Sequence, residues 1–138
     1  NAAHPGAERE VFPHLEPLSA EQRPGVVAFT ATRWGTLLDP RLLPANERAP
    51  HASDCYRFAL GHPYVDVVLS GPKDRKELDD ALLALERGPM TADELAWMRR
   101  VGAHVRDATA KPKRVGLLDF VDRLATASLC APKQLGTR

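Results

Sequence analysis

Val26-Val27-Ala28-Phe29-Thr30-Ala31-Thr32-Arg33-Trp34-Gly35 is the stretch whose reading decides the fold. Its first half is apolar on consecutive residues and does not alternate. A short run of that kind suits a strand buried on both faces, as parallel sheets require. Pro24-Gly25 turns the chain into it. Its second half is small and hydroxylated and ends in Gly35, so the strand delivers the chain into a tight loop. A second run, Val65-Asp66-Val67-Val68-Leu69-Ser70, repeats the arrangement and passes into Gly71-Pro72.

Helical patterns lie around these two runs. Residues 7–15 give a short helical stretch stopped by Pro13. Residues 39–53 carry Pro40, Pro44 and Pro50 without a period and read as a long loop. Ser53 or Asp54 caps a helix through Tyr56, Phe58, Ala59 and Leu60, closed by Gly61 and Pro63. A helix over residues 75–86 sets Leu78, Leu82 and Leu85 on one face, with Glu77, Asp79 and Asp80 on its solvated side. Thr91-Ala92-Asp93-Glu94 is a capping box opening a helix whose Leu95, Met98, Val101 and Val105 recur at helical spacing. Residues 117–129 are amphipathic, and the end from 131 to 138 reads as loose. There is no internal repeat. Strands alternating with helices imply an α/β fold with parallel pairing. Two strands buried on each face cannot cover themselves, so neighbouring strands are expected to come from outside this sequence.

Composition narrows the function classes. The 138 residues suit one domain, with 43% hydrophobic and 27% charged residues. A formal net charge of +1 recruits neither nucleic acid nor an anionic membrane. No apolar run approaches the roughly 20 residues that span a bilayer, and no secretory signal pattern is present. Cys55 and Cys130 lie far apart without CxxC spacing, which suits free thiols in a reducing cytoplasm, with one long-range disulfide as the alternative. His51, Cys55 and His62 match no metal-ligand spacing, and no metal is expected.

Chemistry is expected where strands end and loops lead into helices. In the first loop, Thr30, Ala31, Thr32, Arg33 and Gly35 let a backbone approach a ligand, and their hydroxyl and N–H groups suit phosphate oxygens. The second, Ser70-Gly71-Pro72-Lys73-Asp74-Arg75, leads into a helix N-terminus, whose unpaired N–H groups favour an anion. Against this stands a plainer reading, a Gly-Pro turn with solvated Lys73 and Arg75. Trp34 either covers a ligand or fills a gap under the long loop. Tyr56 on an outer helix, Tyr64 at a strand start and Trp97 in a packed helix read as packing residues. His4 either borders the ligand face or is a solvated loop residue.

These residues resemble one family. Val26 to Gly35 resembles the seventh strand and following loop of aldo/keto reductases. Asp54-Cys55-Tyr56-Arg57-Phe58-Ala59-Leu60-Gly61-His62-Pro63 is similar to the helix after it. Val65 to Leu85, with Ser70-Gly71-Pro72 and Glu77-Leu78-Asp79-Asp80-Ala81-Leu82, resembles the eighth strand and its helix, and Gly88-Pro89-Met90-Thr91 to Val105 the closing helix. The resemblance covers residues 1–106 in unbroken order and leaves a tail, 107–138, outside it. It implies the C-terminal part of a TIM (β/α)8 barrel that binds NADP(H), with NAD(H) also admitted. Thr30, Ala31, Thr32, Arg33 and Gly35 would cradle the pyrophosphate. Ser70, Gly71, Pro72, Lys73 and Arg75 would face the adenosine ribose phosphate, with Glu77 and Asp80 near the ribose and adenine. This chain departs from the family pattern at Gly71-Pro72, where many members have Lys-Ser, at Glu77, where an Arg often stands, and at Ala81, where an Asn does.

The family moves a hydride to a carbonyl carbon while a Tyr, tuned by Lys, Asp and His, protonates the oxygen. None of those four maps onto this sequence, so the resemblance implies no catalytic residue here. It implies a cofactor-binding segment whose partners are a small carbonyl substrate, met by the 39–53 loop, and the remainder of the barrel or a second copy. The alternatives are a non-catalytic half-barrel binding or assembly module and a truncated inactive product.

Overall fold

The computed structural model describes residues 1–110; the amphipathic stretch 117–129, the chain end and Cys130 lie outside the described residues. Two strands, β1 (Val27–Ala28) and β2 (Val67–Val68), pair in parallel with Val27 opposite Val67 and Ala28 opposite Val68. Val26 O accepts from Asp66 N and Val67 N at 3.0 and 3.2 Å, and Ala28 O accepts from Leu69 N at 2.8 Å. The chain returns from β1 to β2 through a helix, so the unit is strand, helix, parallel strand.

The strands differ from expectation in one respect. Ala28 and Val68 are half-buried, and Val68 packs against the helical core. Val27, Phe29, Val67 and Leu69, which point the other way, are 46–69% exposed. Side chains alternate across a strand, so among the described residues one face of the sheet is covered and the other is open.

The N-terminal segment forms two short helices, α1 (Gly6–Glu10) and α2 (Phe12–Leu15). Pro13 does not stop the helical stretch. It sits in the first turn of α2, where its missing N–H is not needed. A 3-10 turn, Thr36–Leu38, leads into the 39–53 loop and a second, Pro40–Leu42, shapes it, with Leu37 and Leu43 buried.

The crossover helix is α3 (Ala52–Leu60), with Gly61 at its C-terminus. Its cap is His51, two or three residues earlier than the expected Ser53 or Asp54. Asp54 stands at the third helical position, and its Oδ2 accepts from His51 N at 3.0 Å. Helix α4 (Arg75–Arg87) follows β2 and ends at Gly88, whose φ of 64° suits glycine.

Leu78, Leu82 and Leu85 do share a face of α4, but that face is open, with Leu85 69% exposed. The side packed inward carries Glu77, Asp80, Ala81 and Ala84 instead. Small residues let α4 lie close to α3, so burial went to the alanines and not to the leucines.

Helix α5 (Ala92–Ala108) opens on the expected capping box: Thr91 Oγ1 accepts from Glu94 N at 3.2 Å and Glu94 Oε2 accepts from Thr91 N at 2.9 Å. Trp97, Met98, Val101 and Val105 are buried on it. Each contributes about 1.5–3 kcal/mol by leaving water. Gly102 lies against the backbone of Ala2, where a side chain would overlap the Ala2 carbonyl. That approach sets the buried Ala2 and Ala3 into the core.

A buried ionic cluster joins α3 to the turn between α4 and α5. The Arg57 guanidinium donates through Nε to Gly88 O at 2.7 Å and through Nη2 to Pro89 O at 3.0 Å. It also donates through Nη1 and Nη2 to the two Glu94 carboxylate oxygens at 2.7 and 2.8 Å. Asp54, fully buried, accepts from Arg87 at 2.7 Å and from Arg48 at 3.2 Å. The Arg48 guanidinium also lies over the Trp97 ring, 3.7 Å from its centroid.

Candidate functional site

The loops following β1 and β2 open side by side, because their strands are adjacent and parallel. Between them is a cleft of about 500 Å³. The first loop contributes Thr30, Ala31, Thr32, Trp34 and Gly35, and the second Leu69, Gly71, Pro72 and Lys73. Glu77 and Asp80 of α4 form one wall, and Leu38 with Ala52 and Tyr56 of α3 complete it.

The backbone of the first loop is unusual. Thr30, Arg33 and Trp34 have φ of 52–53° and Gly35 has φ of 79°. Non-glycine residues in that region cost on the order of 1 kcal/mol or more each, and such strain concentrates at ligand-binding segments. Internal bonds hold the conformation: Arg33 N donates to Thr30 O at 2.9 Å and Gly35 N to Thr32 Oγ1 at 3.3 Å. Asn1 Nδ2 donates to Thr30 O at 3.1 Å. The N–H groups of Ala31, Thr32 and Trp34 make no hydrogen bond among the described residues. Those donors, with the Thr32 hydroxyl, are suited to phosphate oxygens, whereas the Thr30 hydroxyl donates to Phe29 O at 2.7 Å.

The second loop is differently disposed. Asp74 caps α4, accepting from Glu77 N at 2.9 Å. Glu77 folds back to accept from Lys73 N at 3.0 Å and pairs with Lys73 Nζ at 2.8 Å. That hydrogen bond raises the Lys73 pKa and lowers that of Glu77. The anion position at this helix start is therefore shared by the chain's own carboxylates.

Of the residues expected to bind cofactor, Thr30, Ala31, Thr32, Gly35, Gly71, Pro72, Lys73, Glu77 and Asp80 line the cleft. Arg33, Ser70 and Arg75 do not. Arg33 is half-buried behind the loop, its Nη1 buried and without a partner among the described residues. Ser70 Oγ donates to the Tyr56 hydroxyl at 3.0 Å. Arg75 pairs with Asp79 at 2.8 Å and borders an outer hollow beside α4.

Asp80 is not on a solvated face, as its position among three acids suggests. Its carboxylate accepts from Ala52 N and Ser53 Oγ, both at 3.0 Å, and so closes the N-terminus of α3 from the neighbouring helix. Tyr56 reaches the cleft from α3 and, with Leu38, Ala52 and Leu69, was not among the residues expected there. Ala52 and Tyr56 lie one helical turn apart and so share a face of α3, which only the packing of that helix turns toward the cleft. Trp34 is 84% exposed at the cleft and fills no gap under the long loop.

The remaining candidates have structural surroundings. Tyr64 and His62 cluster with Phe12, whose ring centroid lies 4.0 Å from His62. His4 is exposed, and its pKa is lowered by partial desolvation and then by Arg33. Burial pushes the Cys55 thiol up to about 12, far from a reactive thiolate. Among the described residues no group of three or more His, Cys, Asp or Glu side chains is arranged to hold a metal ion. No described helix is long and apolar enough to cross a membrane. Comparison with protein-family models, with curated proteins and with solved structures finds no match to this chain.

Proposed function

We propose that this chain is the nicotinamide-dinucleotide-binding part of an aldo/keto reductase barrel, acting in the reducing cytoplasm on a small carbonyl substrate. One observation carries the reading: two parallel, adjacent strands send their following loops into one cleft, and the first loop holds, in a left-handed turn, three N–H groups that make no hydrogen bond among the described residues. The cleft volume, about 500 Å³, lies in the range of small-molecule sites. Thr30, Ala31 and Thr32 would hold the pyrophosphate, and Glu77 and Asp80 would meet the ribose. The bound nucleotide, NADP(H) or NAD(H), supplies the hydride. The chain positions it, and the proton donor belongs to the rest of the barrel. Tyr56, bonded to Ser70, is assigned to the wall of the cleft and not to proton transfer.

The open sheet face favours a second reading, an assembly module. Val27, Phe29, Val67 and Leu69 are exposed there, and a partner that covers them gains from their burial. Counting the described residues, a second copy raises the strand number only from two to four, short of the roughly eight that close such a barrel. The rest of a barrel is therefore the better cover.

Calorimetric titration of the full chain with NADPH and with NADH tests the first reading, alongside an assay of aromatic aldehyde reduction. Saturable binding of at least one nucleotide without turnover is the expected result. A folded chain that binds neither sinks the cofactor reading, and clear turnover sinks the division of roles.

A further inference from the structure

We infer that the cleft selects a dinucleotide whose adenosine ribose keeps its free 2′-hydroxyl, NAD(H), and discriminates against the 2′-phosphorylated form. This inference rests on the reading of the cleft as a nicotinamide-dinucleotide site.

A ribose 2′-phosphate adds charge approaching −2 and needs uncommitted cations or N–H donors around it. The α4 wall offers few. Lys73 lines the cleft, but its ammonium is paired with Glu77 at 2.8 Å. Arg75 is held by Asp79 at 2.8 Å and, like Lys76, faces the outer hollow and not the cleft. The backbone donor of Glu77 is occupied by Asp74 at 2.9 Å. Two carboxylates, Glu77 and Asp80, line this wall against the single cation Lys73. A phosphate brought to this wall meets like charge, which repels it.

A ribose diol makes the opposite demand. It donates hydrogen bonds, and a carboxylate is the acceptor that reads it. Glu77 is well placed for that role, since its side chain is 44% exposed and both its bonds are to Lys73, at the end of the second loop. Asp80 has both oxygens committed to the start of α3, so it contributes charge more than a fresh bond. Glu77 is therefore the specificity-determining residue, and Asp80 the background that keeps the wall negative.

Calorimetric titration of the full chain with NADH and NADPH, repeated on Glu77→Lys and Glu77→Gln, tests this. Adenosine 2′,5′-bisphosphate and 5′-AMP serve as probes that lack the nicotinamide half. NADH and 5′-AMP are expected to bind at least tenfold more tightly than their 2′-phosphorylated counterparts. Glu77→Lys should invert that order, and Glu77→Gln should narrow it with the circular dichroism spectrum unchanged. Equal or tighter binding of NADPH overturns the selectivity and leaves the cofactor site standing. An unchanged ratio in folded Glu77→Lys and Glu77→Gln overturns the assignment of the selectivity to Glu77. Failure of wild type to bind either dinucleotide overturns the cofactor reading itself and this inference with it.

Discussion

A planar fork of five N–H donors gives Arg57 a reach that lysine lacks. It is 5% exposed and spans two backbone carbonyls and the Glu94 carboxylate from one helix face. Arg57→Ala leaves Glu94, Gly88 O and Pro89 O without that partner and brings the buried Asp54 nearer to isolation. Truncating one member of a buried ion cluster costs about 3–5 kcal/mol. Urea denaturation of this variant should show a loss near the lower figure, because Glu94 is 25% exposed and partly rescued by water. Arg57→Lys should recover less than half of it.

The same cluster fixes a pH response. The Arg57 hydrogen bond, with the Thr91 N–H, holds Glu94 at about 2 against an ordinary 4.5. Burial works to raise the Asp54 carboxyl, but the His51 N–H, then Arg87 and Arg48, outweigh it and keep it low. A carboxylate depressed on folding adds stability that is complete above its unfolded pKa and is lost as pH falls through its folded one. Unfolding free energy is therefore expected to decline steadily from about pH 5 toward pH 2. Denaturant midpoints measured across that window check it, and the decline should be shallower in Arg57→Ala.

Among the helices, α5 and α4 solve opposite packing problems. Helix α5 buries large side chains and needs one glycine, Gly102, where Ala2 crosses it. Gly102→Ala gains about 1 kcal/mol of helix propensity but drives a methyl group into backbone that cannot move freely. Overpacking of that kind costs about 1–3 kcal/mol, so a net loss of melting temperature is expected. Helix α4 buries alanines and leaves leucines in water, so Leu85→Ala, at a site 69% exposed, should change stability by no more than about 0.5 kcal/mol. A measured loss several times larger would mean that the leucine face is covered in solution.

At the scale of the whole fold, the sheet has, among the described residues, two strands, one covered face and one bare one. Exposed apolar patches of this kind mark interaction surfaces, and both strand edges also lack neighbours among the described residues. Sedimentation of the full chain is expected to show self-association that rises with concentration. Phe29→Lys, which puts a charge on a side chain 69% exposed, should suppress it without lowering thermal stability. Persistence of the same association in that variant would locate the contact elsewhere.

The sequence by itself determined the kinds of element and their order. Consecutive apolar runs marked both strands, Thr91 to Glu94 marked the start of α5, and Gly61 and Gly88 marked helix ends, because each signal is local to a few residues. Thr30, Ala31, Thr32, Gly35, Gly71, Pro72 and Lys73 come together at one cleft because loops that follow parallel neighbours open at one end, and Glu77 and Asp80 reach it from α4. The tertiary structure alone decided which helix face was buried and who caps whom. Periodicity shows that Leu78, Leu82 and Leu85 share a face, but only the closeness of α3 to α4 turned that face outward and brought Asp80 to the start of α3. Likewise Arg33, Ser70 and Arg75 were drawn to partners or positions that no spacing along the chain encodes, since an ion pair or a buried guanidinium depends on distances across the fold.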